Sequence, residues 1–348
     1  MAIESTGGQL RGFTHRVLIV AVIAVLFLFL WQIVHALLFA FIGILLAILW
    51  RSLAGVITRF VPVPMHWALL IVAVFGAGLL TAFIWFAGPR FSEQLNQLTQ
   101  TLPSSVENLR QSLMKYAWGR YLLEHAVPAQ LTSGQRLSLF SRVTGAASTI
   151  VAVLANLVVV LATAIYFAIN PDVYVRGILA LIPKDKSDRM REVFDASART
   201  LRHWLLGQAL AMLTVGILTT IGLWIAGVPL AFLLGVIAGL LDFVPYVGSI
   251  GAAIPGILLG LAQSPMTGVY ASIVYLAVQQ VEGQLVVPMV QKRTVWLPPA
   301  MVILAVVVFG LLFGLLGVLV ATPLTAVATV WIRMLYVHDV LGRRVEPD

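Results

Sequence analysis

Two acidic side chains, Asp242 and Glu282, stand inside long apolar stretches of this sequence, and both have polar company at helical spacing. Tyr275, Gln279 and Glu282 fall at i, i+4 and i+7, which puts all three on one helix face. Around Asp242 the spacing is similar but the chain differs: Tyr246 and Ser249 follow at i+4 and i+7, with Pro245 and Gly248 between them. Proline removes a backbone donor and clashes with the preceding turn, so a helix must kink or stop there. Burial disfavours the charged form of a carboxylate, so either acid could exchange a proton near neutral pH or hold a cation. Gln208, from an earlier apolar stretch, adds an uncharged hydrogen-bonding group. An ionisable group and a broken helix at one depth point to a translocation path. The plainer reading is a structural kink whose Asp caps a helix end. For Glu282 the plainer reading is an ion pair with Lys292 or Arg293 at the membrane edge. The expectation is that Asp242 lines the path while Glu282 chiefly holds its own helix in register.

Other chemistry finds little support. There is no cysteine, which excludes thiol catalysis, thiolate metal sites and disulfides. No HExxH pair occurs, the stretch Gly248-Ser249-Ile250-Gly251 is not a GxSxG elbow, and no P-loop is present. His338-Asp339 reads as a headgroup contact. No catalytic residue, metal site or cofactor is therefore expected, and the protein reads as a non-enzyme. The net charge is +8, but the basic residues are scattered along connectors rather than gathered in a stripe, which argues against nucleic acid.

These side chains need elements to hold them, and composition says which kind. The chain has 348 residues, is 60% hydrophobic and 10% charged, and has a mean hydropathy of +1.00. A soluble protein carries roughly 25% charged residues, so this one belongs in a bilayer. Runs at 17–50, 60–89, 143–171, 203–241, 243–281 and 294–332 far exceed the ~18 apolar residues of a spanning candidate. The expected fold is an all-α polytopic membrane protein of about eight transmembrane segments, forming a single transporter domain over 1–348. The run at 17–50 splits into a helical hairpin near Gln32–His35, with His35 at an interfacial turn. Residues 235–260, holding Asp242, Pro245, Gly248, Gly251 and Pro255, form a broken segment interrupted between Asp242 and Gly251. A re-entrant hairpin over 230–261, leaving seven crossings, is the alternative.

Between the spans, residues 88–142 turn soluble-like, with apolar residues at three- and four-residue steps, and form amphipathic helices outside the bilayer. Residues 170–202 form a basic helical connector. Lys and Arg counts give 14 on the side of both termini and that connector, against 8 on the other, so both termini are expected in the cytoplasm. Three GxxxG pairs, Gly235/Gly239, Gly256/Gly260 and Gly310/Gly314, are candidates for close helix packing.

The stretches GLLDFVPYVGSIGAAIPG (239–256), VEGQLVVPMVQKRTVWLPP (281–299) and FGLLFGLLGVLVATPLTAV (309–327) occur in that order. Together they resemble the C-terminal signature of the AI-2E (autoinducer-2 exporter) family of bacterial inner-membrane transporters. Residues 170–208 resemble that family's cytoplasmic connector. The resemblance implies a helical transporter of seven or eight spans, working as a homo-oligomer in the inner membrane. It further implies export of a small hydrophilic solute such as the quorum-sensing signal autoinducer-2, or, in other members, sodium/proton antiport. The reading from another class is a non-transporting membrane scaffold organised by the polar segments; a costly intramembrane charge argues against it.

Overall fold

The computed structural model describes residues 4–114, 146–245, 247–288 and 297–343. Every element among them is helical: α1 (Glu4–Phe60), α2 (Met65–Met114), α3 (Ala146–Ile169), α4 (Pro171–Leu179), α5 (Lys184–Ile225), α6 (Ala231–Leu241), α7 (Val247–Gln263), α8 (Pro265–Val281) and α9 (Pro299–Trp331). π-helical turns at Glu282–Val286 and Ile332–His338 extend α8 and α9. Four described helices, α1, α2, α5 and α9, reach the length and apolarity of a membrane span, or five if α3 and α4 count as one bent span, although a reversal within α9 divides it into two shorter limbs. Eight crossings are therefore not established.

The N-terminal hairpin expected near Gln32–His35 is absent. α1 runs through it as one helix of 57 residues, about 86 Å long. The reason is local: Gln32-Ile33-Val34-His35 contains neither glycine nor proline, so nothing stops the helix. His35 lies within α1, edge-on to Phe313 at 5.9 Å, rather than at a turn. A continuous α1 carries Glu4 and Phe60 to opposite ends, so termini on one side do not follow from this structure.

α2 also runs on, from its apolar part (Met65–Pro89) into the polar stretch as far as Met114. Pro103 does not interrupt it. The rest of the expected 88–142 insertion lies outside the described residues. At Asn170-Pro171 the chain bends by 84° between α3 and α4. The polar connector is then α4 followed by the first turns of α5, whose 42 residues run from Lys184 into the membrane core without a break.

Two segments fold back on themselves as hairpins of short limbs. α6 has 11 residues and α7 has 17, about 16 and 25 Å, both short of a ~30 Å hydrocarbon core. They fold back on each other: Ala238 and Ala252 share one buried cluster, Leu233, Leu234 and Leu259 another. This is a helical hairpin, with residues 242–245 at its tip. The helix breaks where Pro245 required it, though Gly248, Gly251 and Pro255 are all inside α7.

The second case was not expected. α9 reverses at Gly314, whose φ of 61° and ψ of −142° no helix contains. Val306, Phe309, Val318 and Ala321 share one cluster, and Met301 and Ala328 line the same groove. In a straight helix those last two would be roughly 40 Å apart. Residues 299–313 and 315–331 thus form a second hairpin in place of the expected eighth span.

The two hairpins approach from opposite ends of α5. Hairpin 1 starts beside the end of α5 at Ile225, and Gly235 and Gly239 lie against Gly216. Hairpin 2 returns along the other end of α5: Trp331 Nε1 donates to Ser197 Oγ at 3.1 Å, and Arg189 pairs with Asp339. They meet where Val244 of tip 1 packs on Val306 and Ala321. Phe243 of the same tip packs edge-on to Trp204 at 5.7 Å.

Candidate functional site

Tip 1 is built by backbone bonds that turn tightly after Leu241. Phe243 and Val244 N–H donate to Leu240 and Leu241 carbonyls at 3.3 and 3.0 Å, and Gly248 N–H reaches the Val244 carbonyl at 2.9 Å. Gly248 is needed here, because a Cβ would run into the Leu241 carbonyl. The turn leaves Asp242 at the end of α6 with no exposed surface. Its Oδ1 accepts from Ser249 Oγ at 3.3 Å, and its main-chain carbonyl accepts from Gln208 Nε2 at 2.6 Å. Its Oδ2 is buried without a protein partner.

Beside Ser249 lies a cavity of about 360 Å³ between α5, α7 and α8. Thr219, Ser249, Ser272, Tyr275, Gln279 and Glu282 supply its polar lining, and apolar residues such as Val215, Ala252 and Ile257 the rest. Gln279 Nε2 donates to Glu282 Oε2 at 3.1 Å, and Glu282 begins the π-helical turn. Such turns widen a helix and recur at functional sites. The hydroxyls of Thr219 and Tyr275 are also buried without partners. Buried polar atoms are nearly always satisfied, so two orphan hydroxyls on the wall of one cavity call for an explanation. A hydrophilic guest would supply it.

Tyr275, Gln279 and Glu282, which their spacing put on one helix face, line the cavity together with Ser249. Asp242 and Gln208 stand behind Ser249 and do not line the cavity, whereas Glu282 does. Pro245 is part of the tip; Tyr246, Lys292 and Arg293 lie outside the described residues. Thr219 and Ser272 were missed. Thr219 stands 11 residues after Gln208, about three helical turns, so their shared face was a usable signal.

The glycine pairs divide. Gly235 and Gly239 let α6 lie on α5, where added Cβ atoms would meet the Gly216 and Met212 carbonyls, both at 2.7 Å. Gly256 lies under the Tyr275 ring and Gly260 lies against Thr267 and Gly268, so both serve α7–α8 packing. Gly310 faces Val318 of the opposite limb, but Gly314 packs on nothing within 4 Å; it is the reversal itself.

An all-helical membrane protein with two opposed hairpins, one of them beside a mostly apolar cavity that carries a few polar groups, is built like a transporter. The chain matches the model of the AI-2E family transporter over residues 17–336 and belongs to that family. It is 28% identical over 277 residues to the "Putative transport protein YueF" of Bacillus subtilis, covering 76% of this chain and 75% of that one. It is 25% identical over 271 residues to a "Putative transport protein" of Thermotoga maritima, covering 77% and 82%. A 26% identity over 276 residues links it to the "Putative permease PerM" of Escherichia coli, covering 74% and 76%.

Proposed function

We propose that this protein is a secondary transporter that exports a small hydrophilic solute, autoinducer-2 being one candidate, across the bacterial inner membrane. The observation that carries the reading is the cavity between α5, α7 and α8, where Ser249, Gln279 and Glu282 converge beside the broken tip of a helical hairpin. Its size suits a small guest, since ligand pockets run from about 300 to 1,000 Å³. Asp242, Pro245, Gly248, Gln208 and Tyr275 belong to the same path as its wall and tip. A cytoplasmic face for the basic connector and the C-terminal end, which the Arg189–Asp339 pair joins, and a homo-oligomeric state complete the proposal, the first on the basic residues of that connector and the second on family membership.

Sodium/proton antiport is the second reading. It is favoured by two buried acids, Asp242 with its unpartnered Oδ2 and Glu282 on the cavity wall, either of which could trade a proton for a cation. A scaffold without transport has no use for two buried acids.

Proteoliposomes separate these readings. Wild-type protein is assayed for flux of a panel of small polar solutes, and for sodium-driven proton movement. Glu282→Gln and Asp242→Asn should each lower flux by about tenfold or more while the protein stays folded, the size of one lost transition-state contact of a charged group. Wild-type flux in both variants would remove the cavity from the mechanism.

A further inference from the structure

α6 begins without a cap of its own. Leu230, at the N-cap position, has a φ of 60° and its side chain makes no capping bond. The first intrahelical bond runs from Leu234 N–H to the Leu230 carbonyl at 2.9 Å, so the amide of Leu233 has no helical acceptor. Leu233 is fully buried, and water cannot serve that amide. The acceptor comes from α2 instead: Gln94 Oε1 takes the Leu233 N–H at 3.0 Å, across 139 residues of sequence. One turn further along α2, Leu98 is buried among Leu233, Leu234 and Leu259, at the base of both limbs of hairpin 1. Gln94 lies five residues past Pro89, about 8 Å beyond the apolar part of α2.

We propose that Gln94 is a positioning residue, through which the polar extension of α2 straps the base of hairpin 1 and sets how readily that hairpin opens. The proposal rests on the transport reading, which needs a gate. Two left-handed residues flank Pro229 in the turn from α5, Gly227 at φ 71° and Leu230 at φ 60°, and Ser264 breaks the chain after α7. Both limbs of hairpin 1 are therefore jointed at the end where Gln94 and Leu98 hold them. With one acceptor the strap satisfies the buried amide of the limb that carries Asp242 at its far end. Removing the acceptor leaves that amide orphaned in the closed hairpin, which favours opening.

The cysteine-free chain permits a direct test. Ala253→Cys, on the cavity wall, is treated in intact cells and inverted vesicles with a membrane-impermeant thiol reagent. Gln111→Cys in a parallel chain marks the face of the α2 extension. Gln94→Leu keeps the side-chain bulk without the acceptor, Gln94→Asn keeps an amide too short to reach, and Gln94→Glu keeps an acceptor at the same reach. The first two should raise the labelling rate of position 253 from the α2-extension face by about fivefold, the factor for one lost hydrogen bond. Gln94→Glu should restore the parental rate. An unchanged rate in both Gln94→Leu and Gln94→Asn overturns the proposal. So does an equal rise in all three variants, which would make Gln94 a packing residue only. Labelling needs no flux, so a parent that moves no solute or ion would overturn the transport reading while Gln94 is still scored.

Discussion

Gly314→Ala separates a folded-back α9 from a straight one by the sign of its effect. At φ 61° and ψ −142° the backbone occupies a region that only glycine enters freely, and a side chain there costs about 1–3 kcal/mol. Nothing lies within 4 Å of the Cβ that would be added, so neither clash nor new packing obscures the backbone cost. Spread over a chain of 348 residues, that cost lowers Tm by about 1–4 °C. In a straight helix the same change would stabilise, by up to about 1 kcal/mol, because alanine is the better helix former. Gly310→Ala is the comparison: its Cβ would meet Val318 Cγ2 at 2.9 Å, the end of a side chain, with ordinary helical backbone. The assay is thermal unfolding of the purified variants in detergent. Met301→Cys/Ala328→Cys, which face one groove in the hairpin, is tested alongside with a short bifunctional thiol reagent. A Tm equal to or above wild type for Gly314→Ala, together with no cross-link, would refute the second hairpin.

Two further outcomes are expected. Hydrogen bonding from Arg189, then from His338, holds the Asp339 carboxyl below its ordinary range. What that contact contributes is complete above the unfolded value of about 4 and is lost as pH falls through the lower folded value. A fluorophore on Val340→Cys should therefore gain mobility, read as falling anisotropy, below about pH 4, and Arg189→Gln should make it mobile at every pH. For sidedness, single cysteines at positions 111 and 188 should behave oppositely in intact cells, 111 labelling with an impermeant reagent and 188 remaining protected; the reverse pattern would invert the proposed topology.

Much of this protein was determined locally. The near absence of charge fixes a membrane setting whatever the fold, because no packing could hide so much apolar surface from water. Pro245 after Asp242 dictated a break, since a missing donor and a ring clash act within one turn. The stripe Tyr275, Gln279, Glu282 was legible because one helix carries it. What lay between elements was not legible. Gly235, Gly256 and Gly314 look alike in sequence, yet the first admits a neighbouring helix, the second admits a ring, and the third reverses the chain. Glycine permits each of these and specifies none, so the choice falls to the partners it meets. For the same reason Glu282 reads as an edge residue in sequence but lines the cavity, where α5 and α7 close over it. Gln94 carries no signal at all in the sequence, because the amide it serves lies 139 residues away and only the folded chain brings the two together.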